Sequence, residues 1–176
     1  NQVTGTITAG DDTALVARIL DHNGVRLTPS FPVTWSRSLV SGNSPAGNLA
    51  TSGLDEATFS STAAHKTVDI TASYGGLSYT VRFQVVPDVA AGLSIENSPA
   101  PSGAALNAPN ELASVTFSAS DTTEYVYAVL RDQYGNFVGP STSTQWTPVD
   151  GGLVSVTESN PSNGEGRIRR QADQGE

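Results

Sequence analysis

Four residues recur along this chain at one spacing. Ala17, Asp21, Gly24 and Trp35 reappear as Ala128, Asp132, Gly135 and Trp146, each 111 positions later. Apolar residues around them also correspond, as "ALVARILDHNGVRL" (14–27) set against "YVYAVLRDQYGNFV" (125–138) shows. A fixed period of this size means that one supersecondary unit occurs twice, so whatever fold the chain adopts must be built from two similar halves.

Each half reads as β-structure. Val, Thr, Ile, Tyr and Ser fill short runs at "TGTITAG" (4–10), "ALVARIL" (14–20), "FPVTW" (31–35), "TVDITASY" (67–74) and "YTVRFQVV" (79–86). Asn23-Gly24, Gly75-Gly76 and Gly151-Gly152 stand where turns with positive φ are expected. No window carries a sustained 3.6-residue apolar period, and 17 glycines and 10 prolines oppose long helices. Several short strands separated by turn signals predict an all-β sandwich.

Composition narrows the function classes. A chain of 176 residues with 37% hydrophobic content suits one or two modest cores. With no cysteine there is no disulfide framework, thiolate zinc site or cysteine nucleophile. A net charge of −8 and only 9 Lys+Arg leave no nucleic-acid footprint. No apolar run is long enough for a membrane span and no leader pattern opens the chain, so neither membrane insertion nor a signal peptide is expected. We expect the chain to be a piece of a longer precursor.

Pro87 closes the last strand of the first unit and "AGLSIEN" reads as the first strand of the next, which places the units at 1–87 and 88–176. The second unit has 44 residues ahead of Asp132 and the first only 20 ahead of Asp21, so the first is expected to lack an opening strand. Shifted by 111, "VDITASYGGLSYTVRFQVV" (68–86) falls at 179–197, so the second is expected to lack its closing hairpin. Open strand edges recruit other strands. Either chain boundaries leave them open, or a strand from another chain fills them, or the units are compact despite the alignment. In the tail "SNGEGRIRRQADQGE" (162–176), Arg167 to Gln171 is expected to be a strand.

The repeated motif has a structural explanation. In an Asp-x-x-Gly turn the carboxylate accepts backbone N–H groups further on, while glycine takes positive φ. Asp21, Gly24, Asp132 and Gly135 are therefore expected to be turn residues. The alternative is calcium ligation by Asp21, Asp132 or the pair Asp11 and Asp12, although no dense Asp/Asn/Gly ligand loop supports it; no other cofactor is implied. Trp35 and Trp146 are expected to plug the two cores. Were they exposed, they would stack on sugar rings with Tyr74, Tyr79, Tyr125, Tyr127 and Phe137 as companions.

No catalytic residue is assigned. His22 and His65 are the only histidines, and neither stands in a nucleophile-elbow or metal-ligand spacing. Asp55, Glu56 and Asp69 read as a solvated acidic face rather than a carboxylate pair. The single lysine, Lys66, is expected to be solvated.

The unit "A-x-x-x-D-x-x-G-(N)-x-V/L … V/Q-x-W", closed in the first copy by "VDITASYGGLSYTVRFQVV", resembles the bacterial immunoglobulin-like repeats of invasin-type and intimin-type adhesins and other large exported proteins. The second copy carries the fuller form, with Asn136 where the first has Val25. The resemblance implies two Greek-key sandwiches serving as a spacer, stalk or adhesive module, extracellular or on a bacterial cell surface. Its implied partners are neighbouring domains of the parent protein and a host or surface protein or glycan. Some domains of this class crosslink a lysine to an asparagine, which is the alternative for Lys66. Two further functions stay open: a carbohydrate-binding or accessory module of a secreted polysaccharide-degrading enzyme, and a strand-exchanging assembly subunit that self-associates.

Overall fold

The computed structural model describes residues 3–118, 120–148 and 154–170. It divides into two compact units, Asn1–Asp88 and Val89–Glu176. Among the described residues all regular structure is strand, apart from two short 3-10 turns.

The described residues of the first unit form seven strands: β1 (Val3–Thr8), β2 (Asp12–Val16), β3 (Thr34–Ser41), β4 (Asn48–Ser52), β5 (Glu56–Ser60), β6 (Lys66–Tyr74) and β7 (Leu77–Val86). They form two sheets, ordered β1-β7-β6-β3 and β2-β5-β4. This is the immunoglobulin-like Greek-key plan, in which the second, fourth and fifth strands share one sheet and the third, sixth and seventh the other. The β6–β7 hairpin turns on Gly75 and Gly76, both at positive φ, with Tyr74 opposite Leu77.

Alternation puts the core between the sheets. Phe59 of β5, Val68 and Ile70 of β6, and Phe83 and Val85 of β7 are buried, joined by Ile7, Ala9 and Ala64, with Leu15, Trp35 and Leu39 packed beside them. The Phe59 and Phe83 rings stack at 6.2 Å. Gly5 sits opposite Phe83 in the parallel β1–β7 pair, and a Cβ there would lie 2.9 Å from the ring. Glycine is what lets β1 lie flat on that aromatic.

The second unit shows β8 (Gly92–Glu96), β9 (Thr123–Arg131), β10 (Phe137–Pro140), β11 (Val154–Asn160) and β12 (Glu165–Arg170). They form one sheet along β10-β9-β12-β11, with β8 also on β9. The path β8-β9-β12-β11 is the first, second, fifth and fourth strand order of the same fold. Arg167 to Arg170, expected as a strand, lie in β12, while Gln171 falls outside the described residues.

The gap expected at the start of the first unit takes another form. That unit does have an opening strand, because β1 pairs in parallel with β7 over Val3↔Val81 to Thr8↔Val86. What it lacks, among the described residues, is a counterpart of β8; β2 is the edge of its sheet. The extra residues ahead of Asp132 form β8 and the segment 97–112 that follows it.

Candidate functional site

The two Asp-x-x-Gly turns share a backbone design. Asp21 Oδ1 accepts the Asn23 and Val25 N–H groups at 2.8 and 2.9 Å, and Asp132 Oδ1 accepts those of Tyr134 and Asn136 at 2.9 Å each. Gly24 and Gly135 have φ of 78° and 83°. Each donates its N–H to the aspartate carbonyl at 3.0 Å. Such asparagine-like turns fix a tight reversal without any ligand.

Their surroundings differ. Val25 leaves the first turn exposed, whereas Asn136 in the equivalent place donates to Asp132 Oδ2 at 2.7 Å and accepts from Asn107 Nδ2 at 2.8 Å. Beside it, Arg131 makes a bidentate pair with Glu96 at 2.9 and 2.7 Å and donates to the Ala105 and Gly135 carbonyls. Ser94 Oγ donates to Glu96 at 2.6 Å. Glu96, Arg131, Asp132 and Asn136 are all buried. No local pattern marks this ion pair; its one signal in the sequence is Arg131 standing in the place of Leu20.

The alternative metal ligands are not gathered. Asp11 is exposed just ahead of β2 and Asp12 is exposed as its first residue, and the described residues hold no group of three His, Cys, Asp or Glu able to bind a metal. Asp55 pairs with Arg26 at 3.4 Å, and Asp69 makes a bidentate pair with Arg82 at 2.7 and 2.8 Å. Glu56 is exposed on β5. His22 is exposed in its turn, and His65 has a φ of 55°.

Lys66 requires a correction. It is buried rather than solvated, with Nζ donating to the Pro45 carbonyl, because its place at the start of β6 aims it inward with Val68 and Ile70. Burial pushes its pKa below the ordinary lysine value. Burial, then the neighbouring Glu165, pushes the Tyr127 hydroxyl up.

Each tryptophan is half-buried in its own unit. Trp146 lies over Gly166, where a Cβ would be 2.6 Å from the ring, and Trp35 packs against the first core. Both indole Nε1 atoms are buried without a hydrogen-bond partner. Of the expected companions, Tyr74, Tyr79 and Tyr125 are exposed, and Tyr74 meets Phe31 at 5.1 Å. Tyr127 and Phe137 are half-buried.

Trp35 also lines an apolar cavity of about 330 Å³ in the first unit. Leu15, Ala17 and Ile19 form one wall, and Ile70, Tyr79 and Val81 stand opposite.

No protein-family model matches the chain, and no curated protein matches it. Among solved structures, domains 5–6 of the S-layer protein SbsC are 16% identical over 99% of this chain and 83% of that one, with a TM-score of 0.40. Domains 4–9 of SbsC are 18% identical over 99% and 26%, at 0.31. The I9–I11 tandem of titin is 10% identical over 96% and 53%, at 0.33. At these scores the likenesses assign neither family nor activity, and the fold rests on the strand order itself.

Proposed function

We propose that the chain is a non-catalytic structural module, a spacer or adhesive stalk in a multidomain bacterial protein that is secreted or held at the cell surface. The observation that carries this is the parallel β1–β7 pair, which joins the first and last strands of the first unit over six residues. Tension between the ends of that unit loads all the ladder hydrogen bonds together, in shear. The residues that define the repeat support the same reading, because the aspartates and glycines build turns and the tryptophans pack within their units. The repeat's resemblance to bacterial immunoglobulin-like modules supports a surface or secreted location.

Stretching the chain between its termini tests this. A spacer gives an abrupt unfolding step for the first unit that releases on the order of 250–300 Å, since an extended chain spans roughly 3.3–3.6 Å per residue. Replacing Gly5 by Val, which crowds Phe83 and parts β1 from β7, lowers the force of that step. Gradual yielding without a step would remove the basis for a load-bearing role.

A further inference from the structure

The two faces of the β9–β12 pair differ in kind. The register sets Glu165 opposite Tyr127, Arg167 opposite Tyr125 and Arg169 opposite Thr123, while Thr157 of β11 stands opposite Arg167. Opposed residues of an antiparallel pair share a face, as do alternate residues of one strand. One face therefore presents Tyr125, Tyr127, Arg167 and Arg169. The other holds Val126, Ala128 and Gly166, and Trp146 lies over Gly166 on that side. The tyrosine and arginine face is thus the outer one, and strands that pack on the Trp146 side leave it uncovered.

The strand plan does not require these side chains. In the first unit the matching register is Val16 opposite Glu56, Ala14 opposite Thr58 and Asp12 opposite Ser60. Ala14 stands there in the place of Tyr125, and Thr58 and Ser60 in the places of Arg167 and Arg169. The charge also runs against the rest of the chain, which is −8 overall with 9 Lys+Arg, yet Arg167, Arg169 and Arg170 all fall in β12. Among the described residues Arg26, Arg82 and Arg131 make ion pairs, and Arg167 and Arg169 enter none. Arg167 Nε is buried without a hydrogen-bond partner, and a donor so placed favours any acceptor that reaches it. Glu96 and Glu165, the acids that share this face, are engaged by Arg131 and by the Tyr127 hydroxyl.

We propose that this face binds a linear acidic polysaccharide, with carboxylates on Arg167 and Arg169 and a sugar ring against Tyr125. The chemistry of each group selects that occupant. A guanidinium fork matches a carboxylate bidentately. Tyr125 is 48% exposed beside it and offers an apolar ring with a polar tip. The Thr123 and Thr157 hydroxyls flank the arginines as partners for sugar hydroxyls. Two residues along one strand place the arginine Cα atoms about 6.6–6.8 Å apart, and a flat sheet face suits an extended chain. Repulsion from the rest of the acidic chain is short-ranged, because the Debye length at physiological salt is about 8 Å. The site is independent of the spacer reading, which rests on β1 and β7.

A short oligomer of galacturonic acid is the probe, titrated into the intact chain by calorimetry at low and at physiological ionic strength. Saturable binding that weakens as salt rises is expected, and none with the neutral galactose oligomer. Arg167→Gln is expected to weaken it about tenfold, as for the loss of a hydrogen bond to a charged group, and Tyr125→Ala several-fold. Arg37→Gln, which removes an exposed charge from the first unit, is expected to leave it unchanged. Should Arg167→Gln melt early, Arg169→Gln, at an exposed position, carries the same test. No binding at millimolar oligomer, or equal weakening by Arg37→Gln and by the β12 variants, would overturn the proposal. So would binding of inorganic polyphosphate with none of the uronate, which would make phosphate the group recognised.

Discussion

Among the described residues, the first unit buries nine apolar residues and two polar ones, whereas the second buries three apolar residues and six polar ones. The strand plan is shared, so the difference lies in what each sheet faces. In the first, β2-β5-β4 is covered by β1-β7-β6-β3, and Phe59, Val68, Ile70, Phe83 and Val85 meet between them. In the second, Leu93 and Ile95 are 56% and 45% exposed while Ser94 and Glu96, the alternate residues of the same strand, are buried. One unit is held by an apolar core between sheets. The other is pinned on its opposite face by a polar network around Arg131.

The largest test of that contrast is at the ion pairs. Arg131→Met leaves Glu96 buried without its partner, and we expect the second unit to lose about 3–5 kcal/mol. Arg82→Met in the first unit removes a more exposed pair, and its unfolding midpoint should move much less. Urea unfolding of each variant checks both. Replacing Glu96 and Arg131 together by Leu and Met should recover most of the loss, because apolar residues of similar volume often substitute for a buried pair.

The turns give a smaller effect in the same direction. Asp132→Ala strands two backbone N–H groups and the amide of Asn136 in a buried site, at a cost of about 1–3 kcal/mol. Asp21→Ala opens an exposed turn that water solvates, and about 0.5 kcal/mol is expected. Equal losses would mean that the turns, not their surroundings, dominate.

Alkaline titration should split the units most finely. Lys66 has a folded pKa below its ordinary 10.5, so between the two values the unfolded chain holds the extra proton. Stability of the first unit therefore rises with pH in that window and levels off above 10.5. Tyr127 has a folded pKa above its ordinary 10.0, so above 10.0 the folded state holds the extra proton and the second unit weakens as pH rises. Lys66→Met should remove the first slope and Tyr127→Phe the second, in melting curves from pH 8 to 11.

Local signals were legible and long-range ones were not. The Asp-x-x-Gly turns, the Gly75-Gly76 hairpin and the alternation of "TVDITASY" follow from φ preferences and a two-residue period, which neighbouring residues alone determine. The run 14–20 reads as one strand, yet β2 ends at Val16, because the β5 strand it pairs with begins at Glu56, opposite Val16. Glu96 and Arg131 stand 35 positions apart and meet only because β8 pairs with β9. Lys66 sits on an alternating strand whose inward face includes its own position, a fact that its charge concealed. The run 4–10 is legible as a strand, but its place as the opening strand of the first unit is not, because its partner, β7, comes last in that unit.

Residue-resolved hydrogen exchange on the intact chain tests most directly the claim that the two-sheet apolar core of the first unit outlasts the described sheet of the second, which polar contacts pin. We predict the slowest exchange at Val68, Ile70, Phe83 and Val85, with β11 and β12 exchanging at least tenfold faster, about 1.4 kcal/mol less protected. Equal protection in the two units would contradict the account, because it would mean that the second sheet is as well covered as the first.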